Sequence, residues 1–325
     1  MANKRTFLIG LLMIFGFGLI IIVPIGVLSV NLSSYGKINY TNLPFEYTPD
    51  IPSSIERLNI DIDKGDIEIK YVEPPIDNYM SIYVNLEMTG PGLAGKDYSD
   101  FFDINWQNIN SPVNFSMKFR SDINQVEVLS LIQNITIVVA LRADIIFEIK
   151  TTVNEGNIEL NIPYGVSVNN LEINTTNGNL FYDLNHCILQ GNISGSTNNG
   201  DMKFIVNNIQ CTQNVIWNLT TQDGKMDLQV YQYIEMGANI TGSVFAEFLY
   251  DLIYRDQSFK VGALFNFPLT HWESGGQIID GFDDPLNHPL FPKGFQLISM
   301  DFPAENNFEL FFYVLEYKIN TNNVY

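Results

Sequence analysis

The feature that most constrains the fold is a glycine followed by apolar residues two, four and six positions later. It reads Gly156-Ile158-Leu160-Ile162, Gly178-Leu180-Tyr182-Leu184, Gly200-Met202-Phe204-Val206 and Gly224-Met226-Leu228-Val230. A more distant copy stands at Gly65-Ile67-Ile69-Tyr71. Apolar residues at period two turn one side of a strand to a core and the other to water. The glycine ahead of each strand marks a turn where positive φ is open. The four consecutive glycines are spaced by 22, 22 and 24 residues, and Ile149, Leu171, Ile193 or Trp217 lies seven residues before each. Each unit is therefore strand, polar glycine turn, strand, connector. One unit cannot bury its apolar side alone, whereas stacked units can. At ~3.3 Å per residue, a unit traces about 70 Å, which suits one coil of a parallel β-solenoid. A meander of hairpins would show the same pattern. In a solenoid the turns Thr175–Gly178, Thr197–Gly200 and Thr221–Gly224 would stack into threonine and asparagine ladders.

Upstream, Thr6 to Val30 carries no charge, and Lys4 and Arg5 precede it. As a helix this run would be about 37 Å long, against a hydrocarbon core of about 30 Å. Pro24 sits near its outer end, where a kink is tolerated. The basic residues favour a cytoplasmic N-terminus and an extracytoplasmic remainder. The competing reading is a cleaved signal peptide, whose apolar region is usually about 7–15 residues with an A-x-A-like site. Ser29 between Leu28 and Val30 matches that site poorly. The sequence thus predicts a single-pass anchor in residues 1–30 of a protein of the cell membrane, touching lipid through residues 6–30.

An exposed ectodomain agrees with the N-x-[ST] sequons at Asn31, Asn39, Asn114, Asn134, Asn174, Asn192, Asn218 and Asn239, which are candidate glycosylation sites of a glycoprotein. Asn174 and Asn192 fall inside the repeats, where outward polar positions alone would also place asparagine.

The expected organisation follows. Residues 31–54, polar and proline-containing, read as a stalk. Residues 55–241 read as the β-repeat ectodomain, with a non-repeating strand insertion at about 78–144. Strands are expected there at Met80–Met88, Phe101–Trp106, Val113–Phe119, Val126–Leu131 and Ile135–Leu141, followed by Ile145–Thr151 at the first repeat. The run Ile135–Leu141, apolar on both faces, reads as buried between layers. The aromatic-rich residues 242–325 read as a C-terminal cap over the exposed end of the stack, or as a small β-domain returning beside the insertion. The fold class is all-β: a β-solenoid or β-helix-like ectodomain with additional antiparallel strands, preceded by one transmembrane helix.

Function is less constrained. A net charge of −19 argues against nucleic acid as a partner, since phosphates need basic patches, and against adsorption to anionic lipid. The two cysteines, Cys187 and Cys211, rule out a four-cysteine zinc site. They lie nine residues after Gly178 and eleven after Gly200, on neighbouring coils of a solenoid. A disulfide between them would be worth about 3 kcal/mol; two buried thiols are the other reading. There is no G-x-S-x-G elbow, H-E-x-x-H, Walker loop or dinucleotide fingerprint. His186 and Cys187 are adjacent, so on a strand they would point to opposite faces. Asp280, Asp283 and Asp284 read as a solvated acidic turn rather than a calcium loop. No catalytic, cofactor-binding or metal residue is assigned, no cofactor is expected, and the chain reads as no enzyme. Asp66, Glu68, Glu159, Asp183 and Asp227 flank repeat strands, and paired carboxylates in a groove could cleave glycosides. A carbohydrate-active enzyme on a β-helix scaffold is therefore the alternative.

The repeats resemble adhesin-like families of unknown function built on tandem glycine-turn β-repeats. The residues that carry the likeness are Leu171, Ile173, Gly178, Leu180 and Tyr182 with their equivalents around Gly65, Gly156, Gly200 and Gly224. It covers residues 56–71 and 145–241. The resemblance implies a β-helical ectodomain on a single membrane segment, and no catalytic residues. The expected function is extracytoplasmic binding, adhesion or envelope scaffolding, with a cell-surface protein or glycan as partner.

Overall fold

The structure is a computed structural model. It describes residues 35–232 apart from 43, 76, 110, 213 and 214, with side chains as far as 229, and beyond 232 the strand backbones between 238 and 324. The expected anchor at 6–30 and Asn31 lie outside the described residues. Among the described residues, no helix is long and apolar enough to cross a membrane.

Chain order begins with β1 (Tyr35–Thr41), β2 (Phe45–Tyr47), β3 (Glu56–Lys64), β4 (Asp66–Val72), β5 (Met80–Pro91), β6 (Phe102–Gln107) and β7 (Val113–Phe119). A short helix α1 (Gln125–Leu129) precedes β8 (Ile132–Arg142). The repeats supply β9 (Phe147–Glu155), β10 (Ile158–Ile162), β11 (Ser167–Asn177), β12 (Leu180–Asn185), β13 (Ile188–Leu189), β14 (Ile193–Asn199), β15 (Met202–Asn207), β16 (Gln210–Cys211), β17 (Val215–Asp223) and β18 (Lys225–Gln232). Two large mixed sheets result. The first runs β1-β5-β8-β4-β10-β12-β15-β18, and the second β17-β14-β11-β9-β3-β7-β6.

The repeat pattern explains this arrangement. Each unit leaves a strand in the second sheet, turns at its glycine and lays its next strand in the first. Equivalent strands pair in parallel: Leu160 beside Tyr182 and Tyr182 beside Phe204 in one sheet, Leu171 beside Ile193 and Ile193 beside Trp217 in the other. Parallel pairing excludes the hairpin meander. Among the described residues, the inward repeat positions from Ile158 to Leu228 are buried, as the alternation requires, and Tyr71 of the upstream copy is half-buried. The ring of Phe204, from the first sheet, lies 5.2 Å from that of Trp217, from the second. The core is the space between the two sheets.

Gly195 shows how that core is fitted. It occupies an inward position between Ile173 and Leu219. A Cβ there would stand 2.5 Å from the Tyr182 hydroxyl. That hydroxyl is buried and has no hydrogen-bond partner. Gly195→Ala is expected to cost about 1–3 kcal/mol by overpacking. Tyr182→Phe is expected to be neutral or stabilising by about 1 kcal/mol, since it removes an unpaired buried polar group. Together the two should be far milder than their sum, with a coupling of about 1 kcal/mol or more in urea denaturation. Strictly additive costs would show that the two residues do not compete for this space.

Several expectations change. The stalk is not wholly separate from the fold: Tyr35–Thr41 and Phe45–Tyr47 are strands of the first sheet. β1 and β2 pair antiparallel with β5. An edge strand needs only a few inward apolar groups, here Ile38 and Tyr47, so hydrophobic periodicity is faint. Residues 126–131 are not a strand: the alternation of Val126 and Val128 is one helical turn in α1, with only Val128 buried. Ile135–Leu141 is not apolar on both faces in effect, because Ile135, Ile137, Val139 and Leu141 are buried while Thr136, Val138 and Ala140 are half-exposed.

The insertion at 78–144 closes one end of the stack. β7 and β8 continue the two sheets in parallel beyond β3 and β4, with the link containing α1 in place of a glycine turn. β6 and β5 then cover them antiparallel. The Gly65 copy, 91 residues upstream of Gly156, is its direct neighbour, since β3 pairs β9 and β4 pairs β10. At the other end the boundary expected at 241/242 falls inside a strand. β19 (Ala238–Val244) and β20 (Glu247–Tyr254) pair parallel with β17 and β18, extending both sheets. The C-terminal strands thus lie at the end of the stack opposite the insertion.

Candidate functional site

The glycine turns line up into an edge where the chain passes from one sheet to the other. At the residue after each glycine, a side-chain oxygen accepts from the backbone N–H of the equivalent residue one coil on. Asp66 Oδ1 accepts from Asn157 N (2.8 Å), Asn157 Oδ1 from Asn179 N (2.9 Å), Asn179 Oδ1 from Asp201 N (2.7 Å) and Asp201 Oδ1 from Lys225 N (2.8 Å). A second row joins Asn199 Nδ2 to Asn177 Oδ1. Buried threonines form the inner rail: Thr175 Oγ1 donates to Gly156 O (3.0 Å) and Thr197 Oγ1 to Gly178 O (2.8 Å). Thr221 Oγ1 departs, donating to Gly224 O at 3.3 Å. At the turns where ladders were expected from the sequence, Asn177 and Asn199 bond directly and Thr175 and Thr197 stand in register, while the continuous row lies one residue beyond each glycine. The Asx row supplies acceptors to backbone N–H groups and the threonines supply donors to backbone carbonyls at the turn, where the strand ladder has been left.

At the capped end this edge borders a cleft of about 340 Å³ lined by Lys64, Asp66, Gln133, Asn134, Glu155, Asn157 and Asn177 among others. Lys64 and Glu155, register partners on neighbouring strands, form an ion pair in its lining. The wall is amide and carboxylate, suited to hydrogen bonding with a hydroxyl- or amide-rich surface. A neighbouring cleft of about 290 Å³ is lined by Lys37, Asn39, Tyr40, Thr41, Asn85, Glu87 and Asn134, with Lys37 bonded to Glu87 at 2.5 Å. Burial, then the adjacent Tyr98, pushes the Tyr40 hydroxyl up to about 12.

The carboxylates singled out in the sequence do not converge on one pocket. Asp66 belongs to the turn ladder. Glu68, Glu159 and Asp227 fall in one outward row of the first sheet, with Phe181 and Lys203 between the last two, and Asp183 lies in the next row. Glu68 is bonded to Lys70 at 3.2 Å. No group of three or more histidine, cysteine or carboxylate side chains among the described residues could hold a metal ion. The acidic turn at Asp280–Asp284 lies outside the described residues.

The cysteines are free thiols, the second of the two readings open from the sequence. The register gives the reason: Cys211 pairs with Leu189, two residues beyond Cys187. One strand spacing and two residues along the strand separate their Cα atoms by about 8 Å, outside the usual 4.4–6.8 Å for a bridge. The His186 ring is engaged by asparagines: its Nδ1 lies 2.6 Å from Asn185 Oδ1, and Asn208 Nδ2 donates to its Nε2 at 3.3 Å. It adopts φ 50°, as Asn208 one coil on adopts φ 46°.

Burial pushes the thiols of Cys187 and Cys211 up from 9.0 to about 12. The folded protein therefore holds these protons at pH values where the unfolded chain releases them. The stability so contributed is complete below pH 9 and is lost between about 9 and 12, at most ~1.4 kcal/mol per pH unit for each thiol. The urea midpoint should be level in neutral buffers and fall above pH 9, less steeply in Cys187→Ala. At pH 8, iodoacetamide should leave Cys187 unmodified in the native protein and alkylate both cysteines in urea. Rapid native alkylation of Cys187 would contradict the burial.

Buried Glu56 accepts from the Tyr47 hydroxyl (3.0 Å) and from Ser53 N (2.9 Å), fastening the incoming segment to β3. No sequence signal marked this pair, because its partners come from a stretch without periodicity.

No protein-family model matches the chain, and no curated protein matches it. Among solved structures it is similar to a candidate cell adhesion protein of Clostridium sporogenes, at 12% identity over 87% of this chain and 100% of that one, with a TM-score of 0.35. It is also similar to a candidate adhesin of Bacteroides fragilis, at 8% identity over 86% of this chain and 96% of that one, again with a TM-score of 0.35. Scores at this level do not establish a common fold.

Proposed function

We propose that the chain is a membrane-anchored, extracytoplasmic β-solenoid that binds a cell-surface protein or glycan through its outward surfaces, in adhesion or envelope scaffolding. The observation that carries this reading is the unbroken side-chain ladder from Asp66 to Lys225. It fixes successive coils in register and spaces outward side chains at about 4.8 Å across two broad faces. Regular, shallow, polar surfaces of this kind suit extended recognition rather than enclosure of a small molecule. The polar cleft at the capped end is the place where such a ligand would first meet both a concave wall and an ion pair.

The full chain in detergent, immobilised and exposed to native envelope proteins and glycans, is expected to retain a specific ligand. Lys64→Ala and Asn157→Ala should weaken retention without unfolding the protein. Failure of the intact, folded chain to retain any envelope component counts against binding.

A further inference from the structure

We infer that the outward face of the second sheet is an N-glycan-bearing face, resting on the extracytoplasmic reading above. The geometry places the sequons unevenly. Asn114 stands on β7, Asn174 on β11, Asn192 immediately before β14 and Asn218 on β17, all in the second sheet. In each, the middle residue points inward and is buried: Phe115, Thr175, Ile193 and Leu219. The asparagine and the Ser or Thr two residues on therefore share the outward face. On β19, the Asn239 sequon lies in register beside Ile216. Alternation on a polar strand would generate such sequons by itself on either sheet. The coil strands of the first sheet nevertheless carry none: outward on β10, β12, β15 and β18 stand Glu159, Asn161, Phe181, Asp183, Lys203, Ile205, Asp227 and Gln229. The two remaining described sequons, Asn39 and Asn134, flank β5 at the capped end.

Side-chain bonding ranks the sites. Asn192 is exposed and uses Oδ1, not Nδ2, to accept from Ile216 N at 2.9 Å. Asn218 is exposed. Asn114 and Asn174 are half-buried and commit Nδ2, to Pro112 O (3.2 Å) and Glu172 Oε1 (3.4 Å). A glycosylated asparagine keeps Oδ1 and one N–H, so the fold accepts sugar most freely at Asn192 and Asn218. In the transfer, Nδ2 attacks C1 of an oligosaccharide carried on a polyprenyl diphosphate. The C1–N bond forms, the C1–O bond to phosphate breaks, polyprenyl diphosphate leaves, and the amide gives up one proton. The consequence is a bare first-sheet face over the coils, with Phe181, Lys203 and Ile205 open to a partner.

The full chain, produced in a eukaryotic secretory host, is digested with peptide N-glycanase in heavy-oxygen water and mapped by mass spectrometry. Labelled aspartate is expected at positions 192 and 218, and N192Q and N218Q should each remove one glycan step on a gel. Amine labelling should be low at Lys150, which lies on the second sheet, and rise severalfold after deglycosylation, while Lys203 on the first sheet stays constant. A protease-protected ectodomain in sealed microsomes with no sugar at Asn192 and Asn218 overturns the glycan face alone. An ectodomain open to protease there overturns the extracytoplasmic reading, and the glycan face with it.

Discussion

Gly178→Ala is expected to abolish or severely reduce folding, at a cost above about 3 kcal/mol. A Cβ on Gly178 would stand 2.0 Å from Gly156 O and 2.5 Å from Gly156 C, and the residue has φ +157°. The obstruction is backbone, so no rotamer change relieves it. Gly156 O cannot retreat freely, because it accepts from Thr175 Oγ1 at 3.0 Å and its coil is held by the parallel ladder on both sides. Moving it would break turn bonds in two coils, each worth about 1 kcal/mol, in addition to about 1–3 kcal/mol for the backbone conformation. Gly165 supplies the contrast. It also has positive φ (+79°), but a Cβ there meets nothing within 4 Å. Gly165→Ala should therefore cost only about 1 kcal/mol. Urea midpoints of the two variants separate the effects, and equal midpoints would mean that the glycine column is not closely stacked.

The same column shows how much of the architecture was legible. Gly65, Gly156, Gly178, Gly200 and Gly224 announce themselves by spacing, and the inward residues follow by alternation. What the pattern lacked was the position of the Gly65 unit in the stack. Pairing of β3 and β4 with β9 and β10 is decided by the long excursion of residues 73–146, which turns back on itself to close the end. Nothing local in 78–144 states that it is a cap. The polar cleft was invisible for the same reason, since Lys64, Gln133 and Glu155 meet only after that detour. Edge strands β1 and β2 carry too few inward apolar groups to register as strands. The choice between a disulfide and two free thiols turned on a finer point. Ile209, not Cys211, is the residue one coil on from Cys187, and two residues of slip are enough to prevent a bond. The turn ladders were legible in kind, because threonine three residues before glycine and an Asx residue beside it recur in consecutive units.

Trp217→Ala is expected to cost about 3–5 kcal/mol, the range for removing a fully buried large aromatic. Trp217 is 0% exposed and occupies the position that Ile149, Leu171 and Ile193 occupy in the preceding coils. Its extra volume is not matched by those neighbours. It is met by Phe204, 5.2 Å away, which in turn lies 4.6 Å from Tyr182. These three rings, drawn from both sheets, form one packed run, and deleting its end leaves a cavity that flanking strands cannot close without breaking parallel pairing on either side. Since each coil rests chiefly on its neighbours, the loss should concentrate where the array continues into β18 and β19. Hydrogen exchange in Trp217→Ala should therefore accelerate most in β17 to β19 and least in β3 and β4. Ile216→Ala, at the adjacent outward position with 53% exposure, should stay within about 0.5 kcal/mol of the parent. If the two substitutions lowered the urea midpoint equally, the assignment of inward and outward faces on β17 would be reversed.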